Sequence, residues 1–176
     1  AYDDRYVVER NRLVQEMDLR GLSTTPYWGE IIDAGLYRPV TLLSFGLNRA
    51  RGPSPLGFHL VNDVLHGLAA VLVLLVARVA GFSSAGAIAA GLLFALHPVQ
   101  SESVNAVVGR AEVLAFLFAV ASFLLFARKA SPLLVGLTFL LAVLSKESAA
   151  FTLPLFAFYR RGAGRGLYRP KSALPP

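Results

Sequence analysis

His97-Pro98-Val99-Gln100-Ser101-Glu102-Ser103-Val104-Asn105-Ala106-Val107-Val108-Gly109-Arg110-Ala111-Glu112 is a polar island between two apolar runs of helix-forming residues. Four ionisable side chains, His97, Glu102, Arg110 and Glu112, sit where the chain turns between two membrane segments. Charge so close to hydrocarbon is costly unless it faces water, a partner or a ligand. A plain connecting loop needs only a few polar residues, so this turn is a candidate for function.

Outward from the island the sequence reads as an all-α integral membrane protein. Hydrophobic residues make up 55% of the chain, against roughly 45–50% in ordinary soluble domains. They gather after Pro55 into nearly uncharged runs, which is how membrane helices read. About five transmembrane helices are expected, over residues 58–80, 87–96, 111–127, 133–144 and 149–159. The last two are short, each reaching about 15–20 Å against about 30 Å of hydrocarbon. A single helix with Lys146 and Glu147 at mid-membrane is the alternative; two short helices meeting at a cavity fit the charge pattern better.

Residues 1–55 read as an external loop, 56–160 as the helical bundle and 161–176 as a basic cytoplasmic tail. Within the loop, Tyr37-Arg38-Pro39 opens a helix, with proline tolerated in the first turn. Thr41, Ser44, Asn48 and Arg51 recur on one side of it, and Val40, Leu43, Leu47 and Ala50 on the other. A one-sided helix just before a span is expected to lie in the membrane interface.

Charge sets the orientation. The loop is balanced, while Arg78, Arg128, Lys129, Arg160, Arg161, Arg165, Arg169 and Lys171 fall on one side with no acid among them. By the positive-inside rule that side is cytoplasmic and the N-terminal loop is outside. The net charge of +6 is therefore a topology signal, and no nucleic-acid partner is expected. With no cysteine, thiol catalysis and Cys-based zinc sites are excluded.

Asp3, Asp4, Arg38, His59, Asp63, His97, Glu102, Arg110, Lys146 and Glu147 all fall on the outer side in this scheme. Acids can serve as general base, and Arg or Lys can hold a phosphate. No phosphate-cradling glycine loop and no nucleophile elbow is present. His59, Asn62, Asp63 and His66 share one helix face; that face suits a metal less well than hydrogen bonding to neighbouring helices.

The motif order also resembles a known family. Tyr2-Asp3-Asp4, Tyr37-Arg38-Pro39-Val40-Thr41, Gly57-Phe58-His59-Leu60-Val61-Asn62 with His66, His97-Pro98-Val99-Gln100-Ser101-Glu102 with Gly109-Arg110-Ala111-Glu112, and Leu144-Ser145-Lys146-Glu147 carry it. They resemble, in order, the N-terminal core of the tetratricopeptide-repeat-containing transmembrane O-mannosyltransferases and their bacterial relatives, within the GT-C superfamily. The resemblance implies inverting transfer of a sugar from a polyprenyl-phosphate carrier to an acceptor hydroxyl at the outer membrane face. It implies Asp3 or Asp4 as the base, with Arg38, His59, His97, Glu102, Arg110, Lys146 and Glu147 around the substrate. It further implies a divalent cation near the lipid phosphate, and a bacterial inner membrane with the first loop periplasmic.

Members of that family have a helix ahead of this loop, further spans and a repeat array. The sequence is therefore expected to be a piece of a longer chain or a shortened relative. The competing reading is a non-catalytic, accessory membrane subunit packed on other subunits of a respiratory, photosynthetic or transport complex.

Overall fold

A computed structural model describes residues 4–28, 35–52 and 54–164. Every regular element among them is helical. A π-helical turn, Arg5–Glu9, leads into α1, Arg12–Glu16, and α2, Leu19–Thr24. Both short helices are capped by their sequence. Asn11 Oδ1 accepts from the Leu13 N–H, and Asp18 accepts from those of Arg20 and Gly21. Between them Met17 takes a left-handed conformation, φ 53°, that ends α1.

Helix α3, Pro39–Arg51, starts on proline, and α4, Pro55–Val79, does the same four residues after it ends. Ser83 caps α5, Ser84–Leu96. The polar island forms α6, Gln100–Asn105, and a 3-10 turn, Val107–Gly109, which runs into α7, Arg110–Ala127. Ser131 caps α8, Pro132–Ser145. Lys146 leaves helical geometry, with φ −157° and ψ 132°, before a 3-10 stretch, Glu147–Thr152, and α9, Leu153–Gly164.

Helices α4 and α7 pack side by side, with α5 on the outer flank of α4 and α8 on that of α7. Small residues allow the close approach. A Cβ on Gly91 of α5 would lie 3.1 Å from the Ala70 carbonyl oxygen of α4. Ser122 of α7 donates to the Val135 carbonyl of α8 at 2.9 Å. At one end, Phe123, Phe126, Phe139, Phe156 and Tyr159 hold α9 against α7 and α8. Arg78, Arg128, Lys129, Arg160 and Arg161 lie towards that end. The opposite end carries the first loop, α6 and the turn at Lys146.

Two helical stretches, Pro55–Val79 and Val107–Ala127, are long and apolar enough to cross a membrane. Ser84–Leu96 and Pro132–Ser145 are apolar but shorter, at 13 and 14 residues. Large apolar side chains stand open on the bundle surface, among them Leu60, Val64, Leu93, Leu133 and Leu137. That is the surface of a protein whose surroundings are apolar rather than aqueous.

The polar end has a core of its own, in which Val7, Val14, Leu22, Leu42, Phe45 and Phe58 come together. Helix α3 is turned against soluble-protein expectation. Its buried residues include the polar Thr41 and Asn48, while Leu47 is 46% exposed. An interfacial helix would turn its polar row to water; Thr41, Ser44 and Asn48 instead face the protein, where α7 and α8 offer hydrogen-bond partners.

Gly109 fixes the join between the island and α7. A side chain there would meet the Ser103 backbone, with the carbonyl carbon 2.7 Å from the new Cβ. Backbone cannot move aside as a side chain can. Gly109→Ala is expected to destabilise the protein by about 1–3 kcal/mol, read as a lower Tm in detergent or nanodiscs. An unchanged Tm would show that the turn does not pack as described.

Candidate functional site

The polar end is built around Arg110, whose side chain is closed off from solvent at the first turn of α7. Its Nε donates to Asn62 Oδ1 at 2.7 Å, and its Nη2 to Asn48 Oδ1 and the Phe58 carbonyl, both at 2.9 Å. A longer bond runs from Nη1 to the Ser44 carbonyl at 3.3 Å. The Phe45 ring covers one face of the guanidinium, with its centre 4.8 Å from Cζ. One side chain thus ties α3, α4 and α7 together.

Asn62 extends the network. Its Nδ2 donates to the carbonyls of Val104 and Ala106 at 3.2 and 3.1 Å, holding the end of α6 and the bend after it. Two residues further on, the Val108 N–H donates to Asp4 Oδ1 at 2.9 Å. The N-terminal acid is thereby placed by a backbone that Arg110 and Asn62 hold.

Two cavities open at this end. The larger, of about 750 Å³, is lined by Asp4, Arg5, Glu9, Arg49, His59 and Val107 among others. The smaller, of about 320 Å³, is lined by His66, Gln100, Ser103, Glu112, Lys146 and Thr152 among others. In the second, Lys146 Nζ donates to Glu112 Oε1 at 2.6 Å and Ser103 Oγ to Glu112 Oε2 at 3.2 Å. His66 meets the Ala95 carbonyl through Nε2 at 3.1 Å and stacks on Phe94.

Beside them, Arg38 grips Glu147 in a two-pronged pair, Nε to Oε2 at 3.0 Å and Nη2 to Oε1 at 2.6 Å. The guanidinium also lies over the Tyr27 ring, 4.9 Å from its centre. The hydrogen bond from Arg38 holds the Glu147 carboxyl below its ordinary range, against the opposing cost of partial burial. Thr41 adds a buried bond to the Ser145 carbonyl at 2.9 Å. Helix α3 is clamped to the end of α8 by these contacts.

The expected single cavity is therefore divided. Asp4 and His59 line one part, Lys146 the other, and Arg38 and Glu147 pair with each other. Glu102 is exposed and lines neither cavity. His97 is exposed at the end of α5, where its Nδ1 accepts from the Val99 N–H at 3.2 Å. Arg110 does not line a cavity as expected, because four neutral oxygens and the Phe45 ring hold it inside the fold. Asp3 lies outside the described residues. Among those residues no three His, Asp or Glu side chains converge as a metal site would require.

Sequence reasoning passed over Asn48, Asn62 and Arg49 as site residues and noted Glu112 only as part of the island. The signal for Glu112 was there: an acid one turn into an apolar helix, matched by Lys146 at the foot of another. The polar row Thr41, Ser44 and Asn48 was also legible, though its direction was not.

Comparison with known proteins adds to this geometry. The chain is 39% identical over 167 residues to protein O-mannosyl-transferase Tmtc1 of Drosophila melanogaster, covering 88% of this chain and 19% of that protein. It is 34% identical over 138 residues to human protein O-mannosyl-transferase TMTC3, covering 75% and 15%. It is 32% identical over 169 residues to protein O-mannosyl-transferase F38B6.6 of Caenorhabditis elegans, covering 88% and 24%. The chain thus spans about a fifth of the length of the curated relatives it matches. No family model and no solved structure matches it.

The Arg38–Glu147 pair sets a pH dependence. A carboxyl held below its unfolded value contributes stability above that value and loses it as pH falls through the folded one. Glu147 is 55% exposed, so the screened pair is expected to contribute at most about 1 kcal/mol. Near neutrality Glu147→Gln should melt slightly below the wild type, and the gap should close in acid. A gap that persists in acid would place its origin elsewhere.

Proposed function

We propose that this chain, homologous to one segment of the transmembrane O-mannosyltransferases and through them to the GT-C superfamily, forms the loop-bearing core of an inverting glycosyltransferase. The donor is a polyprenyl-phosphate sugar. In the reaction, Asp4 or its neighbour Asp3 takes the proton of an acceptor hydroxyl as that oxygen bonds to the anomeric carbon. The bond from that carbon to the phosphate oxygen breaks, and polyprenyl phosphate leaves with the electron pair.

The observation that carries the reading is Asp4 itself. It is fixed by the Val108 N–H at the wall of a cavity of about 750 Å³, a size that suits a ligand site. Arg49 and His59 on the same wall can meet a phosphate ester. Lys146, Glu112 and the Arg38–Glu147 pair line or brace the polar end beside it. A divalent cation close to the phosphate fits the family chemistry, though the described residues supply no three-ligand site.

In this reading the chain sits in a bacterial inner membrane. The two long helices and the three shorter ones give five crossings, with the first loop periplasmic and the basic end cytoplasmic. Leu47 and Ala50, exposed on one side, let α3 lie at the interface. The sharply unequal charge of the two ends supports this orientation.

The test is transfer of labelled sugar from a polyprenyl-phosphate donor by the full-length protein. Loss of a general base is expected to lower the rate by about 10²–10⁴-fold in Asp4→Asn, with Asp3→Asn assayed in parallel. Transfer undiminished in both variants would overturn the assignment of the base. Absence of any transfer by the full-length protein would favour the accessory-subunit reading.

A further inference from the structure

The charged side chains around the larger cavity cancel: Asp4 and Glu9 stand against Arg5 and Arg49. One more charge lies behind the wall. Phe58 and Val107 line the cavity, and Arg110 bonds the Phe58 carbonyl at 2.9 Å with its Cζ 5.5 Å from the Phe58 ring centre. The guanidinium is one residue's thickness from the cavity and does not reach it.

Its acceptors among the described residues are all neutral, two amide oxygens and two backbone carbonyls. Among the described residues no carboxylate forms an ion pair with it. A fold that needed only a firm anchor could place an acid at position 48, where it would meet the same Nη2 donor and neutralise the charge. Amides satisfy the geometry and leave the charge uncompensated. Sealed from water, that charge is poorly screened, so its field extends into the cavity.

We propose that Arg110 acts through the cavity wall as a fixed positive background that draws a phosphate ester in beside Asp4. It is a positioning residue, never touching the ligand, and it serves twice. Its field favours the anion, and its bond to Asn62 holds the backbone from which Val108 fixes Asp4. The inference rests on the transferase reading above and concerns how that site holds its anionic substrate.

Asn48→Asp tests it, since the change keeps the shape and the acceptor for Nη2 but supplies the missing negative charge. Asn48→Ser is the counterpart, weakening the bond and sparing the charge. The full chain in neutral phosphatidylcholine nanodiscs is titrated with farnesyl phosphate, with farnesol as the uncharged control. Wild type is expected to prefer the phosphate over the alcohol, and Asn48→Asp to weaken phosphate binding about tenfold while farnesol binding holds. Its Tm should hold or rise. Asn48→Ser should keep the preference with a lower Tm. A purely structural arginine would move binding and Tm together.

Phosphate binding by Asn48→Asp at the wild-type level would overturn the inference, as would a wild type that does not distinguish phosphate from alcohol. Should Asn48→Asp not fold, Arg110→Gln removes the charge instead and is expected to lower the ratio of phosphate to farnesol binding about tenfold; an unchanged ratio would overturn the inference. Weakened phosphate binding in Asn48→Asp alongside undiminished transfer by Asp3→Asn and Asp4→Asn would uphold the inference and reject the assignment of the base.

Discussion

A buried cation with no counter-ion among the described residues constrains this end of the molecule. Taking a guanidinium out of water costs several kcal/mol unless its donors are met. Arg110, on α7, bonds four oxygens from α3 and α4, so the cost can be offset only when the three helices stand in one arrangement. The same arrangement brings the Phe45 and Phe58 rings against the charge. Placing the arginine at the first turn of a membrane-capable helix lets the remaining turns stay apolar.

From that constraint the rest of the polar end follows. Asn62 is committed to Arg110 through its oxygen, which leaves its amide hydrogens for the carbonyls after α6. The island therefore folds into a tight turn over α4, with Gly109 where no side chain fits. That turn separates the Asp4 cavity from the one holding Glu112 and Lys146. Across from it, Arg38 and Thr41 clamp α3 to the end of α8, so the first loop is held from both sides.

Much of this was legible in the sequence, for identifiable reasons. Pro39 marks a helix start because proline fits a first helical turn and little else in a helix, whereas the start of α4 at Pro55 lies three residues ahead of the expected one. The apolar runs announce themselves by length, and Lys146-Glu147 announces a break because charge at mid-membrane is costly. The convergence of the first loop, the island and that break at one end followed from charge asymmetry. What stayed hidden was direction. A row of Thr41, Ser44 and Asn48 faces water in a soluble protein, but here the neighbouring helices hold the acceptors and donors, and the row turns inward. Arg110 likewise reads as a ligand-facing charge until Asn48 and Asn62 are seen around it; those partners lie 62 and 48 residues away in sequence. No local pattern reports that.

The coupling of the arginine network to the N-terminal acid is the central claim, and a double-mutant cycle on stability tests it directly. Asn62→Ala, Asp4→Ala and the double variant are unfolded in nanodiscs beside the wild type. If Asn62 places the backbone that fixes Asp4, the two losses are not additive, with an interaction energy of about 0.5–3 kcal/mol. Losses that add to within about 0.3–0.5 kcal/mol would mean that Asp4 is held independently of the network, contradicting the account.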